Sequence, residues 1–232
     1  MNKKKIVSTI SMIVLVIFFV VFAGYLLILA NGYKINIQAK KIQKTGMIYL
    51  KTEPKDVEIF LDDKLITNKT PARLGYLLPK RYTVLVKKDE FYPWSKTLSV
   101  ESGQVEVYQN IILFKDQPKM LTPSRDDIIA LDNYKKDNNE TLGLITKDGE
   151  IWWGKDLITR MSAPVLNLSF IADKNHILLQ INKEIHVIDL DGTNNFKLLE
   201  LSSGAPSVWI LTDAGKYIIY RDGDLTKKAE LR

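Results

Sequence analysis

The chain has 232 residues, of which 46% are hydrophobic and 26% charged, enough material to fold as one large or two small domains. It contains no cysteine, which excludes disulfides, thiolate metal sites, iron–sulfur clusters and a cysteine nucleophile. Its two histidines exclude a multi-histidine metal centre. The net charge of +6 does not mark a nucleic-acid face: residues 1–44 hold seven lysines and no acid, and the other 188 residues carry 26 basic against 27 acidic groups.

The basic excess brackets one hydrophobic segment. Residues 6–30 read IVSTISMIVLVIFFVVFAGYLLILA, 25 residues without a charge. As a helix they would extend about 37 Å, enough to cross a hydrocarbon core of about 30 Å. The hydrophobic part of a cleaved signal peptide is shorter, about 7–15 residues, so the run reads as an uncleaved transmembrane helix embedded in a lipid bilayer. Residues 1–5 precede it, and Lys3, Lys4 and Lys5 abut the membrane. This predicts a single-pass protein with its N-terminus in the cytoplasm and its bulk outside. A five-residue tail cannot house a folded signalling unit.

Residues 31–45 (NGYKINIQAKKIQKT) form a polar, basic juxtamembrane stem. Its alternation fits an extended strand lying on the next domain, and its polarity fits a solvated spacer.

From 46 to 114 short alternating runs are separated by turn residues, an all-β pattern. Val57, Ile59 and Leu61 share one face before a turn at Asp62-Asp63. Tyr82, Val84 and Val86 share another, and Trp94, Lys96, Leu98 and Val100 a third. Pro54 ends the first strand because it cannot donate to a ladder. The order of Gly46, Ile48, Leu50, Thr52, Pro54, Val57, Ile59, Leu61, Asp62, Thr70, Pro71, Leu78, Pro79, Tyr82, Val84, Val86, Tyr92 and Trp94 resembles the PEGA domain. The motif that names that family reads Pro54-Lys55-Asp56-Val57 here. Three of its usual glycines are replaced by Asp63, Lys80 and Glu90. The resemblance implies a noncatalytic, surface-exposed β-sandwich, often found beside membrane anchors in bacteria and archaea.

Lys115-Asp116-Gln117-Pro118 reads as a linker. Beyond it, residues 118–232 show strands and turns with a weak repeat: Phe170 and Trp209 lie 39 positions apart, Asp173 and Asp213 40 apart. A period near 40 resembles β-propeller blades. This stretch holds two to three blades, whereas propellers close with about four to eight. The expected fold is therefore mainly β: a transmembrane helix, a small PEGA-like sandwich, then an incomplete propeller-like module or an open β-meander. Either a truncated chain or oligomerisation would account for the missing blades, and open sheet edges would allow self-association.

Candidate sites are few. Asp189-Leu190-Asp191-Gly192-Thr193-Asn194 starts like a calcium loop but lacks the later carboxylate, so it reads as a hairpin turn. His176 and His186 read as structural, at the surface or half-buried. Trp152-Trp153 puts one ring on each face of a strand, one for the core and one for stacking on a sugar or a protein partner. Asn68, Asn139 and Asn167 open glycosylation triplets that matter only in a glycosylating host. No catalytic residue, cofactor motif or metal set emerges. The sequence predicts a membrane-anchored, noncatalytic binding or display protein of a bacterial cell surface, recognising a protein or cell-envelope glycan. The alternatives are a structural envelope or surface-layer element and, further off, an envelope hydrolase.

Overall fold

The computed structural model of the chain describes residues 3–37, 40–134 and 143–232; Gln38 and Ala39 of the stem and the triplet at Asn139 lie outside them. Helix α1 (Lys3–Ala30) includes a stretch, Val7–Ala30, that is long and apolar enough to cross a membrane. Its apolar side chains face outward on every side, with Phe18 and Phe19 about two-thirds exposed. The rest is mainly β, arranged in several small sheets.

Strands β1 (Tyr33–Asn36) and β2 (Lys41–Lys44) form an antiparallel hairpin, so the stem pairs with itself. Then come β3 (Gly46–Glu53), β4 (Glu58–Leu61), β5 (Lys64–Thr67), β6 (Ala72–Leu77), β7 (Arg81–Lys87), β8 (Trp94–Ser99) and β9 (Val105–Ile112). They make a three-stranded sheet in the order β6-β3-β9 and a four-stranded sheet in the order β5-β4-β7-β8. In β3 the inward residues are Gly46, Ile48, Leu50 and Thr52, the alternation read from the sequence. Asp62 and Asp63, both at positive φ, form the two-residue turn between β4 and β5, the geometry that matches strand twist.

The remaining elements are β10 (Lys119–Leu121), α2 (Arg125–Asp132), β11 (Leu144–Lys147), β12 (Glu150–Trp153), β13 (Asp156–Arg160), β14 (Val165–Phe170), β15 (His176–Ile181), β16 (Glu184–Asp189), β17 (Phe196–Glu200), β18 (Trp209–Thr212), β19 (Tyr217–Asp222) and β20 (Leu225–Glu230). Sheets β11-β12-β13 and β14-β15-β16-β17 are antiparallel meanders. The sheet β18-β19-β20 repeats that meander, and β10, from before α2, supplies its fourth strand by pairing with β20. Helix α2 was not expected from the sequence. Its signal is a capping box: Ser124 Oγ accepts from the Asp127 amide at 3.1 Å, and Asp127 Oδ2 accepts from the Ser124 amide at 2.8 Å.

Every residue of β15 is buried. Leu178 packs with Ile185, Val187, Trp209, Ile218 and Tyr220 on one side of the central sheet. Ile177, Leu179 and Ile181 pack with Leu144, Ile151 and Leu168 on the other. Each such side chain contributes roughly 1.5–3 kcal/mol on leaving water. Gln180 is also fully buried, and its amide is satisfied. Nε2 donates to the carbonyls of Asn182 (3.0 Å) and Ala205 (2.9 Å), and Oε1 accepts from the Ser207 amide at 2.7 Å.

The chain divides into two compact units. One comprises Met1–Leu50, Pro71–Tyr82 and Thr97–Tyr108; the other comprises Lys51–Thr70, Thr83–Lys96 and Gln109–Arg232. The first carries ten basic and two acidic residues and the second 23 and 25, so the basic excess belongs to the unit that contains α1. In the first unit Gly46 sits where a Cβ would come within 2.4 Å of the Glu101 carbonyl. In the second, residues 115–118 are bonded on both sides: the Lys115 amide donates to Leu231 O (2.8 Å) and the Asp116 amide to Glu90 O (3.1 Å).

Candidate functional site

Two groups of side chains in the second unit have the chemistry to hold something. The first centres on Asp189. Strand β16 ends there, and the chain turns through 190–195 into β17. Gly192 takes φ +81° in this turn, where a Cβ would lie 2.4 Å from Ile158 O. Asp189 is buried. Its Oδ2 accepts from Trp94 Nε1 at 3.1 Å, Asn194 Nδ2 at 2.9 Å and Thr193 Oγ1 at 3.5 Å. Lys96 Nζ lies 3.5 Å from that oxygen and 2.7 Å from Asp191 Oδ2. Asp189 Oδ1 lies 3.4 Å from His176 Nε2, and His176 Nδ1 is 2.6 Å from Asp173 Oδ2.

The same turn binds the residues beside Trp94. Asn194 Oδ1 accepts from the Ser95 amide at 3.1 Å. Tyr92 stacks on Phe196 with ring centroids 4.6 Å apart, and its hydroxyl donates to Lys197 O at 2.7 Å. Residues 92–96 and 189–197 thus form one bonded seam.

The electrostatics follow from the partners. Burial pushes the Asp191 carboxyl up, but the Lys96 ammonium and the Thr193 hydroxyl outweigh it and hold the carboxyl below its ordinary value. Burial likewise pushes Asp173 up, and the His176 hydrogen bond and charge bring it down. The Asp189-Asp191 pair has a lysine ammonium where a calcium loop would hold its ion. Among the described residues no group of three or more histidines, aspartates or glutamates could hold a metal ion. His176 is 3% exposed, more deeply buried than expected. His186 is half-buried between Asn195 Oδ1 (2.9 Å) and Glu184 Oε2 (3.0 Å).

The second group is the tryptophan pair on β12. The strand's core residue is Ile151, fully buried, so neither ring fills the core position expected for one of them. Trp152 stands in register with Ile145 on β11 and Leu157 on β13; Ile145 is 42% and Leu157 40% exposed. The Trp152 indole donates to Glu150 Oε2 at 2.9 Å, while Glu150 Oε1 accepts from Arg160 Nε at 2.7 Å. Arg160 first, and Trp152 second, hold the Glu150 carboxyl below its ordinary value. Trp153 is 44% exposed and meets Phe170 edge-on at 6.1 Å. Adjacent in sequence, the two rings carry different partners: a polar clamp for Trp152, an aromatic edge for Trp153.

The glycosylation triplets are structurally engaged where described. Thr70 is buried, with its Oγ1 2.8 Å from Thr52 Oγ1, and Asn167 Nδ2 donates to Ser207 O at 2.9 Å.

The family model described as PEGA domain matches residues 45–111, which bears out the resemblance read at 46–114. A PEGA domain points to an extracytoplasmic or surface-associated setting for this part of the chain. No curated protein matches the chain.

Proposed function

We propose that the chain is a membrane-anchored, noncatalytic binding protein of a bacterial cell surface. In this reading α1 stays in the membrane with its N-terminus in the cytoplasm, and a PEGA-like sandwich and propeller-like sheets stand outside. A protein or cell-envelope glycan docks on the Ile145-Trp152-Leu157 face; Trp153, on the opposite face of the strand, is the alternative docking ring. The observation that carries it is that cross-strand triplet. Three large apolar side chains lie in register, Ile145 and Leu157 exposed on either side of a half-buried Trp152 whose indole is fixed by Glu150 and Arg160, an apolar patch of the kind that sugar rings and apolar side chains cover. The repeated meander, with the central sheet packed on both faces, supports the propeller-like reading of this module.

Because the chain has no cysteine, single cysteines report topology without background. Lys64→Cys and Thr146→Cys, both at exposed positions, should react with a membrane-impermeant maleimide on intact cells. Reaction only after lysis overturns the orientation. For binding, Trp152→Ala should weaken retention of the full chain on purified envelope glycan. Unchanged retention overturns the patch. The triplet also fits a second copy of the chain, the structural alternative. Concentration-dependent association lost in Trp152→Ala would favour that reading over a separate partner.

A further inference from the structure

We propose that the β1–β2 hairpin lies in the headgroup layer of an anionic bilayer, with its Tyr33-Ile35-Ile42 face toward the acyl boundary and its lysines among the lipid phosphates. This rests on the reading of α1 as a membrane anchor and adds a second, peripheral contact with the lipid.

Position comes first. Helix α1 ends at Ala30, and its last carbonyls are capped at once. The Asn31 amide and Nδ2 both reach Leu27 O, at 3.1 and 2.7 Å, and the Gly32 amide reaches Leu29 O at 2.9 Å. Strand β1 begins at Tyr33. Two residues span at most about 7 Å, so the hairpin starts where the apolar helix stops. Its far end returns to the same point: the Thr45 amide and Oγ1 both donate to Gly32 O, at 2.8 and 2.7 Å. The hairpin is a closed excursion based at the helix end.

Its two faces differ. Register places Tyr33 opposite Lys44 and Ile35 opposite Ile42 on one face, Lys34 opposite Gln43 and Asn36 opposite Lys41 on the other. The second face is polar and tied by Asn36 Nδ2 donating to Gln43 Oε1 at 2.7 Å. On the first, Ile35 and Ile42 are 53% and 54% exposed, and Ile37 at the turn is 84% exposed. A lone two-stranded hairpin is marginal in water, and one with a bare isoleucine face is worse off. An acyl boundary covers that face and leaves the polar face wet. Tyrosine is also a residue enriched at that depth.

Charge selects the lipid. The first acidic residue of the chain is Glu53, and the hairpin and its turn carry Lys34, Lys40, Lys41 and Lys44. Such a cluster beside a membrane span is attracted to anionic headgroups.

The test uses the full chain in phosphatidylcholine vesicles with or without phosphatidylglycerol, carrying an environment-sensitive fluorophore on single cysteines at Ile35→Cys, Ile42→Cys, Val20→Cys and Thr146→Cys. With phosphatidylglycerol, the labels at 35 and 42 should emit blue-shifted light and be quenched severalfold more by shallow nitroxide lipid than the label at 146. Omitting phosphatidylglycerol, or replacing Lys34, Lys41 and Lys44 by glutamine, should move both labels toward water. If 35 and 42 behave like 146 while 20 stays lipid-buried, the hairpin proposal fails and the anchor stands. If the label at 20 is itself open to water, the anchor reading fails and the proposal with it. Shielding that grows with protein-to-lipid ratio assigns the face to a second copy and overturns the lipid contact.

Discussion

The Trp94 indole and the Asp189 carboxylate meet at 3.1 Å across 95 positions of the chain. Trp94 lies in the stretch matched by the PEGA model and Asp189 far beyond it, both within the second unit, and their hydrogen bond is one of several that join residues 92–96 to residues 189–197. Replacing Asp189 by alanine strips the acceptor shared by Trp94, Asn194, Lys96 and His176, and should cost about 3–5 kcal/mol in urea unfolding of the full chain in detergent. Trp94→Phe keeps most of the ring and removes the donor, and should cost only about 1–2 kcal/mol. Equal losses in the two variants would show that ring packing, not the carboxylate, holds the seam.

Acid should weaken the second unit. Burial raises the Asp222 carboxyl, but the Lys227 ammonium at 2.6 Å and the Ser202 hydroxyl and amide bring it below its ordinary value. A depressed carboxyl adds stability that is present above the unfolded value of about 3.9 and is lost as pH falls through the lower folded value. Melting temperature should therefore fall as pH drops below about 4. Lys227→Met should lower the neutral-pH melting temperature and flatten that fall. An unchanged acid slope would exclude Asp222 as its source.

Alkali should also weaken the second unit, through Tyr220. It is 1% exposed, and burial, with the Asp222 charge beside it, pushes its phenol from 10.0 up to about 12. The folded state prefers the protonated ring, so this stability is full below pH 10.0 and is lost as pH rises toward about 12. Difference absorbance should show one tyrosine ionising late in the wild type and missing from Tyr220→Phe.

Two backbone positions in the matched region should respond in opposite directions. Gly46→Ala drives a Cβ to 2.4 Å from Glu101 O and 2.6 Å from Val100 Cγ1, and should cost about 1–3 kcal/mol in thermal unfolding. Glu90 holds φ +67°, in the left-handed region that favours glycine. Glu90→Gly should gain up to about 1 kcal/mol, because the left-handed strain it relieves exceeds the chain entropy it adds. A loss at Glu90→Gly would mean that its side chain stabilises the turn.

Much of the fold was legible because its signals are local. A charge-free run marks α1, and alternation marks β3. Asp62-Asp63 and Asp148-Gly149, at positive φ in two-residue turns, mark two hairpins. What the sequence hid depends on distant partners. The three residues of β10 carry no alternation of their own and become a strand by pairing with β20. Asp189 and Asp191 read as turn residues, which they are, but nothing near them announces Trp94 and Lys96. Trp152 and Trp153 were legible as candidates. The bulge in the β12–β13 pairing between Ile151 and Trp152 was not, and the core position is filled by Ile151. Helix α2 carries only the local signal of Ser124 and Asp127, because eight residues are too few to show an apolar period.

The clasp of Thr45 onto Gly32 removes slack where slack would be easiest to build. Gly32, two residues past the end of α1, accepts both bonds from the residue before β3, so the foot of the helix and the start of the strand are joined directly and not only through the hairpin between them. The first residue of β3 is thereby held close to the helix end, by a bracket rather than a leash.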